Sequence, residues 1–227
     1  MPELPAQSSL QWAKNLADVA LERTDPTGWF ETLYAEADRN PQQVPWARLA
    51  VHPHLRTWLD RSQPETTGKS ALVVGCGLGD DAEALAELGF QVTAFDISPT
   101  AIAWCCQRFP ASKVHYQVAD LFKPEPTWQR GFDFVLESRT IQSLPLNLRT
   151  ATIQAIAHLV APDGILLVIA RSRNSEAEPG GLLNGPPWPL SDAELSQFQA
   201  LGLTEVHREE FRDETHQIAQ WLIEYRA

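Results

Sequence analysis

The sequence predicts an α/β fold, a doubly wound and mostly parallel seven-stranded sheet with an N-terminal helical cap. Three observations predict it. From residue 69 to 170, short apolar runs alternate with segments of helical period, the pattern of parallel strands joined by crossover helices. The first apolar run stops at a cluster of glycines. After Gly202 the chain turns to strand-like alternation, which reads as a closing antiparallel pair.

Each element has its own signal. Leu10, Ala13, Leu16, Ala17 and Ala20 recur at helical spacing. Thr24-Asp25-Pro26 reads as the start of a second helix, with Asp as cap and Pro in the first turn. Trp29, Leu33 and Ala37 recur behind it, and Asn40-Pro41 marks its end. Leu55, Trp58 and Leu59 sit on a third helix, followed by a polar linker at 63–69. The texture changes there, so residues 1–67 read as a helical cap or lid and 68–227 as the core. Residues 71–74 are a buried strand, 80–88 a helix stopped by Gly89, and 91–95 a second strand. Ser98-Pro99 opens a helix to about Phe109, and 114–118 and 132–137 are the third and fourth strands. A helix over 148–160 is stopped by Pro162-Asp163-Gly164, and 165–170 is the fifth strand. Residues 171–190 are rich in Gly and Pro and long for a connection, which predicts a lid over the ligand. Ser191 and Glu194 form a capping box opening a helix that ends at Gly202. Segments 203–211 and 216–225 are the closing strands.

Composition narrows the function. The net charge is −11 over 227 residues, which disfavours nucleic acid and anionic membranes as partners, since both attract basic patches. The three cysteines have no framework spacing, and no metal-ligand spacing occurs. There is no apolar run near membrane length and no charged-then-apolar start, so the expected location is the cytoplasm.

Ligands in such sheets bind beyond the carboxyl ends of the strands. After the first strand comes Gly75-Cys76-Gly77-Leu78-Gly79, then Asp80-Asp81. Asp96 ends the second strand at the spacing expected of a carboxylate that hydrogen-bonds a ribose diol. A dinucleotide site would place glycine where Asp80 stands, and two carboxylates would repel a pyrophosphate. A cofactor with a positive centre and no phosphate fits, and S-adenosylmethionine is one.

These residues resemble the cofactor half of a class I S-adenosylmethionine-dependent methyltransferase. The resemblance implies a Rossmann-like methyltransferase fold in which Gly75, Cys76, Gly77 and Gly79 cradle the cofactor. It implies that Asp96 binds the ribose, Ile97 packs on adenine, and Asp120-Leu121 hold the adenine amine. The acid that commonly precedes the first glycine is replaced by Val73. That form, with Asp81 following, is similar to the thiopurine, thiol and halide methyltransferases, the thiopurine S-methyltransferase-like group. Trp29 and Trp46 in the cap, and the stretch from Gly185 to Ser191 (GPPWPLS), are similar to the same group. The fourth strand ends in Glu137-Ser138-Arg139, and Arg139 and Gln142 are polar where a soft acceptor suits an uncharged pocket. Arg139 can hold a carboxylate, which points to an anionic acceptor.

The resemblance implies transfer of a methyl group from S-adenosylmethionine to a small-molecule acceptor, a thiol or other soft nucleophile, leaving S-adenosylhomocysteine. Glu137 and Arg139 are the expected catalytic residues, with Glu137 also beside the cofactor; His52, His54 and Arg171 are further candidates. Trp29 and Trp46 offer aromatic faces to a sulfonium. Small-molecule O- or N-methylation, a non-catalytic cofactor sensor and an NAD(P) oxidoreductase are the competing readings. The expected assembly is a monomer or weak homodimer.

Overall fold

The computed structural model of the chain describes residues 8–22, 25–173, 186–212 and 219–227. Among them, seven strands form one sheet: β1 Ser70–Val74, β2 Gln91–Asp96, β3 His115–Val118, β4 Phe132–Ser138, β5 Val160–Arg171, β6 Thr204–Arg212 and β7 Ala219–Arg226. Their order is β3-β2-β1-β4-β5-β7-β6. The first five run parallel, and β7 lies antiparallel between β5 and β6. The order reverses at β1, so the crevice beyond β1, β2 and β4 is where a ligand fits.

Strand alternation splits the core into two layers. Ala71 and Val73 of β1 pack with Leu136 and Ile169 on one face, against the helix α3 Pro53–Ser62. Leu72 and Val74 pack with Val135 and Val168 on the other. That face carries α6 Arg149–Ala157 and two short helices at Asp192–Leu195 and Gln197–Ala200. α4 Asp80–Glu87 and α5 Pro99–Arg108 follow β1 and β2. The N-terminal helices α1 Ser9–Glu22 and α2 Gly28–Glu36 form a third cluster with Leu78, Ala101 and Trp104. Glu31 of α2 accepts from Ser98 Oγ and from Thr100, tying these helices to the start of α5. Trp58 of α3 donates to buried Glu224 at 2.9 Å.

Several elements depart from the sequence reading. Leu10 is exposed, so the buried stripe of α1 is Ala13, Ala17 and Ala20. Asp25 Oδ1 accepts from Gly28 N at 2.9 Å, but the cap position of α2 is Thr27 and the helix begins only at Gly28, so Asp25 and Pro26 lie before it. β5 begins at Val160, not 165, because Val160 pairs with Phe132 and Ile165 with Phe134. Residues 161–164 bulge between those pairs, so Pro162-Asp163-Gly164 interrupts a strand and α6 ends at Ala157. The Ser191 capping box is present, but its helix breaks at Ser196 into two pieces. Residues 174–185, most of the expected lid, and 216–218 of the last strand lie outside the described residues.

Candidate active site

The cleft opens where β1 turns into α4. Gly75, Gly77 and Gly79 have φ of 59°, 55° and 90°, which L side chains rarely adopt. A Cβ on Gly75 would sit 2.6 Å from Thr140 Oγ1, and one on Gly79 would sit 2.5 Å from Tyr116 OH. Thr140 Oγ1 donates to Val74 O at 2.9 Å, so the loop after β4 closes tightly on the glycine turn.

Asp96 lies beneath this turn. Its Oδ2 accepts from Gly77 N at 3.0 Å and its Oδ1 from Ser98 N at 3.0 Å. Burial pushes its pKa up to about 6 against those hydrogen bonds. Asp96, Ile97, Asp120, Leu121 and Phe122 line one stretch of the cleft. Asp120 Oδ1 accepts from Phe122 N at 2.9 Å, which shapes the turn after β3.

Asp80 and Asp81 separate. Asp80 makes a two-pronged pair with Arg108, both bonds 2.8 Å. Its charge is therefore matched, and the repulsion expected of two carboxylates reduces to that of Asp81. Asp81 Oδ1 accepts from His52 N at 2.7 Å, and burial raises its pKa to about 6.

The cap side of the cleft is aromatic. Trp46 Nε1 donates to Tyr34 OH at 2.7 Å, and Trp46 meets Trp29, Phe30 and Tyr34 edge-on. Phe30, Tyr34 and Trp46 line the cleft, whereas Trp29 is 4% exposed and packs behind Phe30 at 4.0 Å. Trp29 therefore supports the wall without forming it. Phe30 and Tyr34 belong to no sequence motif, and their spacing of four, which places them on one face of α2, is the signal that marks them.

The expected catalytic pair also separates. Arg139 lines the cleft in a left-handed conformation, φ 69°, held by Arg139 N to Ile169 O at 2.9 Å. Its Nη2 donates to Gln220 Oε1 at 2.6 Å, and burial beside Arg48 and Arg171 lowers its pKa to about 10. Glu137 is fully buried and is absent from the cleft lining. Strand alternation turns it inward, where Oε1 accepts from Ile141 N at 2.9 Å and burial raises its pKa to about 7. Arg149 grips the same turn from behind, donating to Ile141 O at 2.8 Å and Trp188 O at 3.0 Å. It also pairs with Glu194 at 3.1 Å. Gln142 is buried likewise, its Oε1 accepting from Arg171 N at 2.6 Å. Arg171 and His54 are not on the cleft wall; His54 stacks on Phe211. His52 and Arg48 are on it. Cys76 lines the cleft, and Cys105 Sγ donates to Gly77 O at 3.1 Å.

Among the described residues, no group of three or more His, Cys, Asp or Glu is arranged to hold a metal. No described helix is long and apolar enough to cross a membrane.

The sheet order, the glycine turn over a buried carboxylate and the cleft at the switch point define a class I methyltransferase fold. Solved structures share it. A Burkholderia thailandensis 1,6-didemethyltoxoflavin-N1-methyltransferase with bound S-adenosylhomocysteine superposes with a TM-score of 0.67 at 17% identity, over 99% of this chain and 92% of that one. The Synechocystis magnesium protoporphyrin IX methyltransferase does so with a TM-score of 0.61 at 18% identity, over 76% and 83%. The family model for thiopurine S-methyltransferase (TPMT) matches residues 36–225, and the chain belongs to that family. Among curated proteins, the ubiquinone biosynthesis O-methyltransferase of Burkholderia vietnamiensis is 26% identical over 169 residues, 74% of this chain. The chain spans 58% of that relative's length.

The residues present fit S-adenosylmethionine. The turn leaves no room for a Cβ at Gly75 or Gly79, Asp96 reaches the cleft as a ribose acceptor would, and the opposite wall offers aromatic faces to a cation.

Proposed function

We propose that this protein is an S-adenosylmethionine-dependent methyltransferase acting on a small molecule, with sulfur as the preferred acceptor atom. The observation that carries the cofactor reading is the glycine turn closed over Asp96 and faced by Trp46 and Tyr34. Asp96 accepts from the ribose hydroxyls, while Ile97, Leu121 and Phe122 enclose the adenine. Asp120 marks the adenine-amine end, and Asp81 faces the homocysteine amine. The α1–α2 helices and the loop to His52 act as the lid over the reacting centre.

When bound, the cofactor supplies a methyl group on an electrophilic sulfonium. The chain's task is then to align the acceptor in line with it and to exclude water. Sulfur is favoured by what the cleft lacks. Glu137 is off the wall, and His52 is held neutral, its pKa pushed down to about 2 by burial, Arg139 and Arg48. An alcohol or amine needs a well-placed base, whereas a thiol ionises readily beside cations such as Arg139.

A second reading, O-methylation, is favoured by the activity named for the curated relatives. Asp81, with its raised pKa, would be the base.

The test is S-adenosylhomocysteine release from S-adenosylmethionine over matched thiols, phenols and amines. Turnover of thiols alone is expected. Turnover of phenols with loss in Asp81→Asn would replace the sulfur reading by the second. A flat NADH titration is expected alongside.

A further inference from the structure

We propose that the methyl acceptor carries a carboxylate, which seats between the Arg48 guanidinium and the His52 Nε2–H on the cap side of the cleft. The inference rests on the methyltransferase reading and deepens it: the acceptor class is a small thiol bearing a carboxylate.

His52 is the telling group. Only 4% of it is exposed. Its Nδ1 accepts from His54 N at 3.2 Å, so the neutral ring carries its proton on Nε2. That Nε2 is buried without a partner. Buried donors in folded proteins are nearly always paired, and an orphan beside a cleft marks the place of a ligand acceptor. Burial and the neighbouring Arg139, Arg48 and His54 keep the ring uncharged. It is a fixed donor, not a base.

Two arginines share the wall. Arg48 lines the cleft with its side chain exposed at the mouth and, among the described residues, makes no hydrogen bond or ion pair. Arg139 has its Nη2 on Gln220, but its buried Nε is a second donor without a partner. Asp81, the carboxylate whose charge acts on Arg48 and Arg139, accepts from His52 N through Oδ1 and is one acceptor group against these three donors. One end of the cleft thus offers donors and positive charge with too few acceptors. A carboxylate supplies two acceptor oxygens and matches an arginine fork. The chain carries a net charge of −11, so this cationic pocket is also the place that concentrates an anion.

The cofactor's own carboxylate is the other anion of the same chemistry, and the experiment separates the two. The protein–S-adenosylhomocysteine complex is titrated calorimetrically with 4-(methylthio)benzoate and with 4-(methylthio)benzamide. These mimic a methylated product, so no turnover is needed. The acid is expected to bind about tenfold more tightly than the amide, the worth of a charge-assisted contact. Arg48→Met is expected to abolish that preference. His52→Asn keeps an acceptor for the His54 N–H and removes only the ring donor, and is expected to reduce the preference severalfold. Affinity for S-adenosylhomocysteine stays unchanged in both variants.

Equal binding of acid and amide overturns the proposal, as does a preference that survives both substitutions. Weaker S-adenosylhomocysteine binding in Arg48→Met, with the acid preference intact, assigns Arg48 to the cofactor carboxylate and also overturns it. If S-adenosylhomocysteine does not bind the wild-type protein, the methyltransferase reading fails by itself. The same acid and amide titrated into the cofactor-free protein then still decide whether the anion site exists.

Discussion

On the side of β1, β2 and β3, the cleft is lined by residues whose partners all fall within the one stretch from the glycine turn to Phe122. Asp96 takes hydrogen bonds from Gly77 and Ser98, and Asp120 takes one from Phe122. On the side of β4, β5 and the cap, the wall is assembled from afar. Arg139 is held by Gln220, the turn after it is tied through Arg149 to Trp188, and Asp81 is held by the backbone of His52. The first half is two turns and the strand-end carboxylate that joins them, all within one continuous stretch of chain. The second is a joint between segments that only the finished fold brings together. Substitutions should therefore damage the two halves in different ways.

The largest effect is expected at the hinge of the two halves. Gly75→Val places a Cβ against Thr140 Oγ1 at 2.6 Å, in a left-handed backbone. Strain of this kind costs about 1–3 kcal/mol before any clash. S-adenosylhomocysteine binding should vanish in a thermal-shift assay, and the melting temperature should fall. Binding that survives would mean the turn is not the cofactor cradle.

Arg149→Met attacks the acceptor side alone. It leaves Ile141 O and Trp188 O without their donor and removes one partner of Glu194. Breaking a buried ionic contact costs about 3–5 kcal/mol. Urea unfolding should show that loss. In whatever folds, the acceptor KM should rise while the S-adenosylhomocysteine Kd holds. A rise in Kd of the same size would show that the halves are not separable.

Asp96→Ala is the converse. It should weaken S-adenosylhomocysteine binding about a hundredfold by calorimetry, the worth of charge-assisted hydrogen bonds to a diol. Its effect on folding should be smaller, since burial opposes the charge that the native state holds there. Unchanged affinity would remove Asp96 from the site.

The same contrast explains what could be read from the sequence. Gly75, Gly77, Gly79, Asp96 and Asp120 are legible as cleft residues because the signal is a turn needing positive φ and a carboxylate at the end of the next strand. The succession of strands and helices along the chain followed from alternation alone. Trp29 and Glu137 are read from position along an element, and position does not fix direction, whereas Arg139 does reach the wall. One residue of helical rotation puts Phe30 rather than Trp29 on the wall. The pleat of β4 turns Glu137 inward. Arg48 and His52 become wall residues only because the loop from α2 to α3 folds back over α4, and no pattern of spacing reports that. The bulge in β5 was missed for a related reason: Pro162-Asp163-Gly164 is a stop signal in sequence, yet strand pairing resumes across it.

Glu137 gives the smallest expected effect and the sharpest separation of scaffold from site. Its carboxyl is fully buried, and its pKa of about 7 lies above its ordinary value of 4.5. The folded state therefore holds the proton more tightly than the unfolded chain. Its contribution is most favourable below pH 4.5 and is lost as pH rises through 7. The loss is on the order of 2 kcal/mol between pH 5 and 8, at 1.36 kcal/mol per pKa unit. Asp81 and Asp96 act in the same direction, but with pKa near 6 they finish ionising first. His52 acts oppositely, since its depressed pKa makes the unfolded chain bind the extra proton. Glu137→Gln keeps the acceptor for Ile141 N and deletes only this titration, so the other groups cancel in the comparison with wild type. The stability difference between variant and wild type should widen from pH 5 to 8, while S-adenosylhomocysteine affinity stays constant. A parallel pH profile would mean that Glu137 does not titrate in this range. A loss of cofactor affinity would return Glu137 to the cleft, and with it the possibility that the two halves share a carboxylate.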